Sequence, residues 1–287
     1  MNSTRFPPPI PPLNTADLLK QYGLHANKRL GQNFLQDPYA LQKIANLAEI
    51  HPTDTVLEIG PGLGSLTRYL AAAAQKVVAV ELDENLFPPL KTVIAPYRNI
   101  QLVHSDILDI EPEKIIEQPD YLVVANIPYY ITSAVIRHLL ESHPKPRRVV
   151  LTIQKEVAER ICAGPGDMSL LALSVQVYGH PQVAAHISAG AFFPAPKVDS
   201  SVLVVDIYSE PLVAAHLLDI FFLLIKAGFS QKRKKLRNSI SAGMRQSTAE
   251  IEKLLRAADI DPQRRAETLS LAEWGRLSDQ YSVDSGH

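Results

Sequence analysis

The chain has 287 residues, 46% of them hydrophobic, enough for one large domain or two ordinary ones around packed cores. Its formal net charge of −1 excludes a global attraction to nucleic acid, so any such partner must be held by local patches. One cysteine, Cys162, excludes an internal disulfide and a thiolate metal cluster, and the nine histidines show no ligand spacing, so no metal is expected. Cys162 itself reads as a small core residue rather than a nucleophile. The N-terminus lacks the basic start and apolar segment of a signal peptide. The longest apolar stretch, Leu212 to Phe229, is interrupted by His216, Asp219 and Lys226. No membrane partner is expected, and the cytoplasm is the expected location.

In chain order, FPPPIPP opens a Pro-rich segment, and residues 1–26 are expected to be a flexible tail. LGQNFLQD follows as a loop leading to a helix, with Asp37 as its cap and Pro38 at the first helical position. Then strands and helices alternate. TVLEIG, KVVAVEL, NIQLVHSD, YLVVAN and RRVVLTIQ read as strands, separated by helical LTRYLAAAAQ, DENLFPPLKTVI and SAVIRHLLESH. Continuous apolar strands joined by helices predict a parallel sheet covered on both faces, a Rossmann-like α/β domain over 27–208. VAAHISAGAF and DSSVLVVDIY leave no room for a crossover helix, so they predict a closing pair of strands, antiparallel to each other. From about Tyr208 only helical periodicity remains, which predicts a small all-helical domain over 209–287. No heptad seam is visible, and a monomer is expected.

Three strand ends share one chemistry. The first strand runs into LEIGPGLGSLT, where Gly60, Gly62 and Gly64 permit positive φ and close approach of a ligand to the backbone. The third glycine comes one residue too early for the dinucleotide fingerprint, which counts against a pyrophosphate cofactor. Glu81 lies 21 residues after Gly60 and could accept both hydroxyls of a ribose; its neighbour Asp83 reads as a solvated carboxylate opening the next helix. Asp106 closes the third strand, where it could receive an adenine amino group or simply cap a turn. A nucleoside cofactor without a second phosphate-linked half fits this set, and S-adenosyl-L-methionine is one.

The fourth strand ends as VVANIPYY. Pro128 cannot donate a ladder hydrogen bond, so pairing should stop there and leave Asn126, the Ile127 carbonyl and an aromatic ring around a small pocket. A strand-ending turn with half-buried tyrosines would look the same.

Together, LGQNFLQD, LEIGPGLGSLT, VAVELD, HSD, NIPYY and AFFPAPKVDSSV resemble the ribosomal RNA adenine N6-dimethyltransferase family, closely over Lys28 to Asp206. GFSQKRKKLRNSI and RAETLSLAEWGRLSDQY resemble the family's helical C-terminal domain. The resemblance implies methyl transfer from S-adenosyl-L-methionine to two adjacent adenines near the 3′ end of small-subunit rRNA. It implies Asn33 and Leu35 over the cofactor, Gly60, Glu81 and Asp106 holding it, and Asn126 between cofactor and target. It implies Asn126 and Ile127 as acceptors for the adenine amino group, Tyr129 stacked on the base, and Phe192 on its other face, with Phe193 as the alternative. Tyr130 is assigned to packing.

Lys226, Lys232, Arg233, Lys234, Lys235 and Arg237 form a run without an acid. It is either a solvated helix face or a phosphate-binding patch, and rRNA contact is the preferred reading, as for Lys145, Arg147 and Arg148. Two other functions fit parts of the pattern. One is a non-catalytic ribosome-assembly or transcription factor on the same fold. The other is a nicotinamide-dependent oxidoreductase, disfavoured by the glycine spacing. A DNA or protein-glutamine target is a further alternative within methyltransferases.

Overall fold

The computed structural model describes residues 10–285, so Phe6 to Pro9 of FPPPIPP lie outside the described residues. Residues 10–26 do not fit the expected flexible tail. Asn14 caps helix α1, Thr15–Gln21, its side chain accepting the Asp17 N–H at 3.2 Å. Leu19 is buried with Phe34, Leu63 and Leu86, and Leu13, Leu18 and Leu24 pack on the same cluster. The proline run had lent its character to a segment whose own leucines gain more by burial than they lose by ordering.

The chain then forms β1 (Phe34–Leu35), α2 (Pro38–Leu47), β2 (Thr55–Ile59), α3 (Ser65–Ala73), β3 (Lys76–Glu81), α4 (Phe87–Ile94) and β4 (Ile100–His104). It continues with β5 (Leu122–Asn126), α5 (Thr132–Glu141), β6 (Arg148–Gln154), α6 (Lys155–Ile161), α7 (Leu170–Gln176), β7 (Gly179–Ile187), β8 (Phe192–Phe193) and β9 (Ser200–Ile207). Four helices follow as the last elements: α8 (Leu218–Phe229), α9 (Leu236–Met244), α10 (Thr248–Ala257) and α11 (Leu271–Ser285). As expected, Asp37 caps α2 by accepting the Ala40 N–H at 2.9 Å.

Seven strands make the main sheet, in the order β4-β3-β2-β5-β6-β9-β7. The β4-β3-β2-β5-β6 part is parallel, and β9 runs antiparallel to β6. Every residue of β2 is buried, and β3 and β5 are buried except at Lys76 and Asn126, which is why they read as continuous apolar runs. The chain order turns back beside β2, so the crevice of this open sheet lies at the carboxyl ends of β2 and β5. A separate two-stranded sheet pairs β1 with β8, Leu35 opposite Phe192 and Phe34 opposite Phe193.

Two compact units result. The first joins residues up to Ala158 with Gln182–Asp206; the second joins Glu159–Pro181 with the chain from Ile207 on. The helical unit is therefore not one continuous C-terminal stretch starting at 209. Residues 159–181 belong with it because Tyr208 and Leu212 donate their N–H groups to Tyr178 and Val177 carbonyls, each at 2.9 Å. The Glu267 carbonyl likewise receives the N–H groups of Gly166 and Met168. Cys162 is half-buried in this unit rather than in a core. No helix of the described residues is long and apolar enough to cross a membrane.

Candidate active site

The site grows from the ends of four parallel strands. After β2 the chain turns through Gly60, Gly62 and Gly64, with φ of +67°, +58° and +84°, values that side chains rarely tolerate. A Cβ on Gly62 would meet the Phe34 ring at 3.0 Å, whereas one on Gly60 would enter open space. Gly60 thus leaves its backbone open to a ligand. Glu81, at the end of β3, is buried and clamps this loop. Its Oε2 accepts the Gly62 N–H at 3.0 Å and its Oε1 the Asp83 N–H at 2.9 Å. Burial pushes the Glu81 carboxyl up, against the pull of those two N–H groups. Each oxygen keeps a second lone pair for a further donor.

Asp106 follows β4, half-buried, and Oδ1 accepts the Leu108 N–H at 2.9 Å. It caps a turn and still lines the cavity, so the two sequence readings coexist. Asp83 does open the next helical turn, accepting the Asn85 N–H at 3.1 Å, but it is buried rather than solvated. Its Oδ2 receives Gln32 Nε2 at 2.7 Å, which ties LGQNFL to the end of β3. The sequence reading missed this tie, although Gln32 stood inside its own motif.

Asn126 ends β5. Its Nδ2 donates to the Asn33 carbonyl at 3.0 Å, and Asn33 Nδ2 donates to the Gly31 carbonyl at 3.0 Å. The amide therefore spends one of its two N–H donors on the loop, and its Oδ1 has no partner among the described residues. Ile127 donates its N–H to the Thr152 carbonyl at 3.3 Å, and Pro128 ends the ladder. Tyr129 is half-buried, its hydroxyl 2.8 Å from Oγ of fully buried Ser200. Burial pushes the phenol up, and Ser200 opposes the shift.

Asn33, Leu35, Gly60, Glu81, Asp106, Asn126, Ile127, Tyr129 and Phe192 all line one cavity. Phe192 is only 3% exposed, yet it forms part of this wall through the β1–β8 pairing, whereas the more open Phe193 does not. Tyr130 departs from its assignment to packing: it lines the cavity and is 60% exposed.

The profile of the family described as ribosomal RNA adenine dimethylase matches residues 23–277. The chain belongs to that family. The ribosomal RNA small subunit methyltransferase A of Dehalococcoides mccartyi is 46% identical over 267 residues, 93% of this chain and 92% of its own length. Its counterpart in Alkaliphilus metalliredigens is 40% identical over 281 residues, 96% of this chain and 98% of that protein. The crystal structure of a dimethyladenosine transferase from Plasmodium falciparum is similar with a TM-score of 0.76 and 25% identity, over 88% of this chain and 98% of that one. The 23S rRNA methyltransferase ErmE is similar with a TM-score of 0.70 and 29% identity, over 86% of this chain and 99% of that one.

The basic residues of this dimethylase-family chain sort into two kinds. In the second unit, Gln231 to Lys235 form a turn between α8 and α9, not a helix face. Lys226, Lys232, Arg233 and Lys234 are exposed and have no side-chain partner among the described residues. Lys235 Nζ donates to Gln263 Oε1 at 2.5 Å, and half-buried Arg237 is ion-paired with Glu252 on α10. Arg237 is thus part of the helical packing, which corrects its reading as an RNA contact. In the first unit, Arg147 grips Asp54 with both terminal nitrogens, at 2.9 and 2.7 Å. Arg148 bridges Glu49 and Asp206 at 2.6 Å each. Both arginines lie where β6 begins, at the sheet edge away from the cavity, so their phosphate-binding reading is also corrected.

Proposed function

We propose that the protein transfers methyl groups from S-adenosyl-L-methionine to N6 of two adjacent adenines near the 3′ end of 16S rRNA, giving N6,N6-dimethyladenine during 30S biogenesis. One observation carries this reading: Asn126, Ile127, Tyr129 and Phe192 meet Gly60, Glu81 and Asp106 around a single cavity, in a chain of the rRNA adenine dimethylase family. The small subunit is favoured as target by relatives 40–46% identical over nearly the whole chain, against 29% for the 23S rRNA enzyme.

The residues fit the cofactor. Gly60 leaves space at the backbone, Glu81 has lone pairs for ribose hydroxyls, Asp106 has a free oxygen for an adenine amino group, and Asn33 and Leu35 cover them. S-adenosyl-L-methionine supplies, when bound, an electrophilic sulfonium methyl. The protein's task is to present a poor nucleophile. An adenine amino lone pair is delocalised into the ring; the Asn126 Oδ1 and the Ile127 carbonyl accept its two hydrogens and orient that lone pair. No strong base is needed, because the nitrogen's proton becomes acidic as positive charge develops there. Positioning and fixed dipoles then supply most of the rate. Tyr129 and Phe192 enclose the base, which leaves its RNA stack to enter. Lys226, Lys232, Arg233, Lys234 and Lys235 contact rRNA phosphates. The partner is small-subunit rRNA in a 30S assembly intermediate, met in the cytoplasm by a monomer.

A non-catalytic assembly or transcription factor would give no use to acceptors converging on an enclosed base site. Mass spectrometry of small-subunit rRNA from cells with and without the protein tests the proposal. Two adjacent dimethyladenines should vanish with the gene and return when purified protein and S-adenosyl-L-methionine are added to the unmethylated particles. Unchanged adenine dimethylation would sink it.

A further inference from the structure

The cavity rim has features that neither the cofactor nor the target base uses. Tyr130 lines the cavity with 60% of its surface open to solvent. Its ring lies against the turn of the facing loop: a Cβ on Gly31 would meet Tyr130 Cδ1 and Pro128 Cβ at 3.3 Å each. Gly31 also holds φ at +62°, so a side chain here would be strained by its backbone and tight against Pro128 and Tyr130. Immediately before it, Asn27 caps the short turn Lys28–Leu30. Lys28 and Arg29 are exposed, and neither side chain has an ion pair or hydrogen bond among the described residues. An open aromatic ring therefore stands at the cavity mouth, and two unpaired cations lie on the turn that leads into its wall at Leu30, where they line an adjoining depression with Asp83 and Asn85.

We propose that this rim is the subsite for the nucleotide next to the target adenosine, with Tyr130 stacked on its base and Lys28 and Arg29 on its phosphate. The inference rests on the RNA methylation reading above. Drawing one adenine into the pocket strips a stacking partner from its neighbour, which stays tethered at the cavity mouth. A rim aromatic replaces that lost stack, and does so for any base, because every base has a π-face. The adjoining phosphate then meets cations whose charge no protein group neutralises. Tyr130 is thus a positioning residue for RNA and not a catalytic one.

Single-turnover methyl transfer to unmethylated small-subunit particles, at saturating S-adenosyl-L-methionine and varied particle concentration, tests this. Tyr130→Ala should raise the half-saturating particle concentration roughly tenfold to a hundredfold. Its rate at saturation and its cofactor affinity by calorimetry should stay near those of the wild type. Tyr130→Phe keeps the ring and should restore tight particle binding. Lys28→Gln combined with Arg29→Gln should reduce the slope of log affinity against log salt by about 1–2. Tyr130→Ala at wild-type half-saturation, or Tyr130→Phe as weak as Tyr130→Ala, would overturn the stacking; an unchanged salt slope would overturn the phosphate contact. Wild-type protein unable to methylate the particles would remove the functional reading and the subsite together. An active wild type with unaltered variants would remove the subsite alone.

Discussion

The two edges of the main sheet handle charge in opposite ways. At the edge where β2 and β6 begin, Asp54, Glu49 and Asp206 are each held by Arg147 or Arg148 in short ion pairs. Burial acts to raise the Asp54 carboxyl, but Arg147 and the His51 N–H outweigh it and hold it below the usual carboxylate range. At the edge where β3, β4 and β5 end, Glu81, Asp106 and Asn126 have only main-chain partners and no cation. One edge is closed on itself. The other keeps acceptors in reserve, as a site awaiting donors must.

The sharpest break in this comparison is Asn126→Ala. It removes the reserved acceptor and the tie to Asn33 together, and methyl transfer should fall at least a hundredfold to a thousandfold, or about 3–4 kcal/mol of transition-state stabilisation. Single-turnover assays read the loss, and a retained melting transition excludes unfolding.

Between the edges, Glu58 of β2 is 1% exposed, and its Oε2 has no hydrogen-bond partner. Burial, opposed by Thr67 and reinforced by repulsion from Glu81, pushes its carboxyl up to about 8 from 4.5. The folded protein then keeps a proton that the unfolded chain releases, so stability should decline as pH rises from 4.5 to about 8 and level off above. Glu58→Gln mimics the protonated form. Above pH 8 it should be more stable than the wild type by up to about 5 kcal/mol, with little difference near pH 4.5. Denaturant titrations across that range check the sign; a gap that widened towards acid would refute it.

Glu81→Ala probes the open edge more gently. Cofactor binding should weaken by roughly 1–3 kcal/mol as ribose hydroxyls and the Gly62 N–H lose their acceptor. Unchanged calorimetric affinity in a folded variant would take Glu81 out of the cofactor site. The smallest expected effects separate paired from unpaired cations. Replacing Lys232, Arg233 and Lys234 by Gln should lower the salt slope of RNA binding by about 2–3 without altering stability. Arg147→Gln should leave that slope unchanged and cost about 1–2 kcal/mol in thermal or denaturant stability, since a third of its side chain is exposed and screened. Equal slopes for both variants would erase the distinction between the two kinds of basic residue.

The sequence by itself determined the parallel sheet, the α2 cap, the glycine turn after β2 and the strand end at Pro128, because those signals are local; Asn33, Leu35 and Phe192 came only with the family resemblance. Apolar runs set buried strands, and glycine adopts the positive φ values after β2 without the strain that a side chain would bring. Asp37-Pro38 starts a helix without outside help, and Pro128 ends a ladder wherever it falls. Only the tertiary structure decided which arginines are spent. Arg147 meets Asp54 across 93 residues of chain, and Tyr129 meets Ser200 across 71, distances over which no periodicity speaks. The same holds for α1, whose leucines needed Phe34 and Leu63 before burial could outweigh a loose tail, and for Glu159–Pro181, drawn into the helical unit by hydrogen bonds with later residues. Tyr130 was misjudged for the same physical reason. A tyrosine's apolar area argues for packing, but whether anything covers it depends on groups brought near by the fold, and at the cavity rim its ring rests on Gly31 with its outer surface left to solvent.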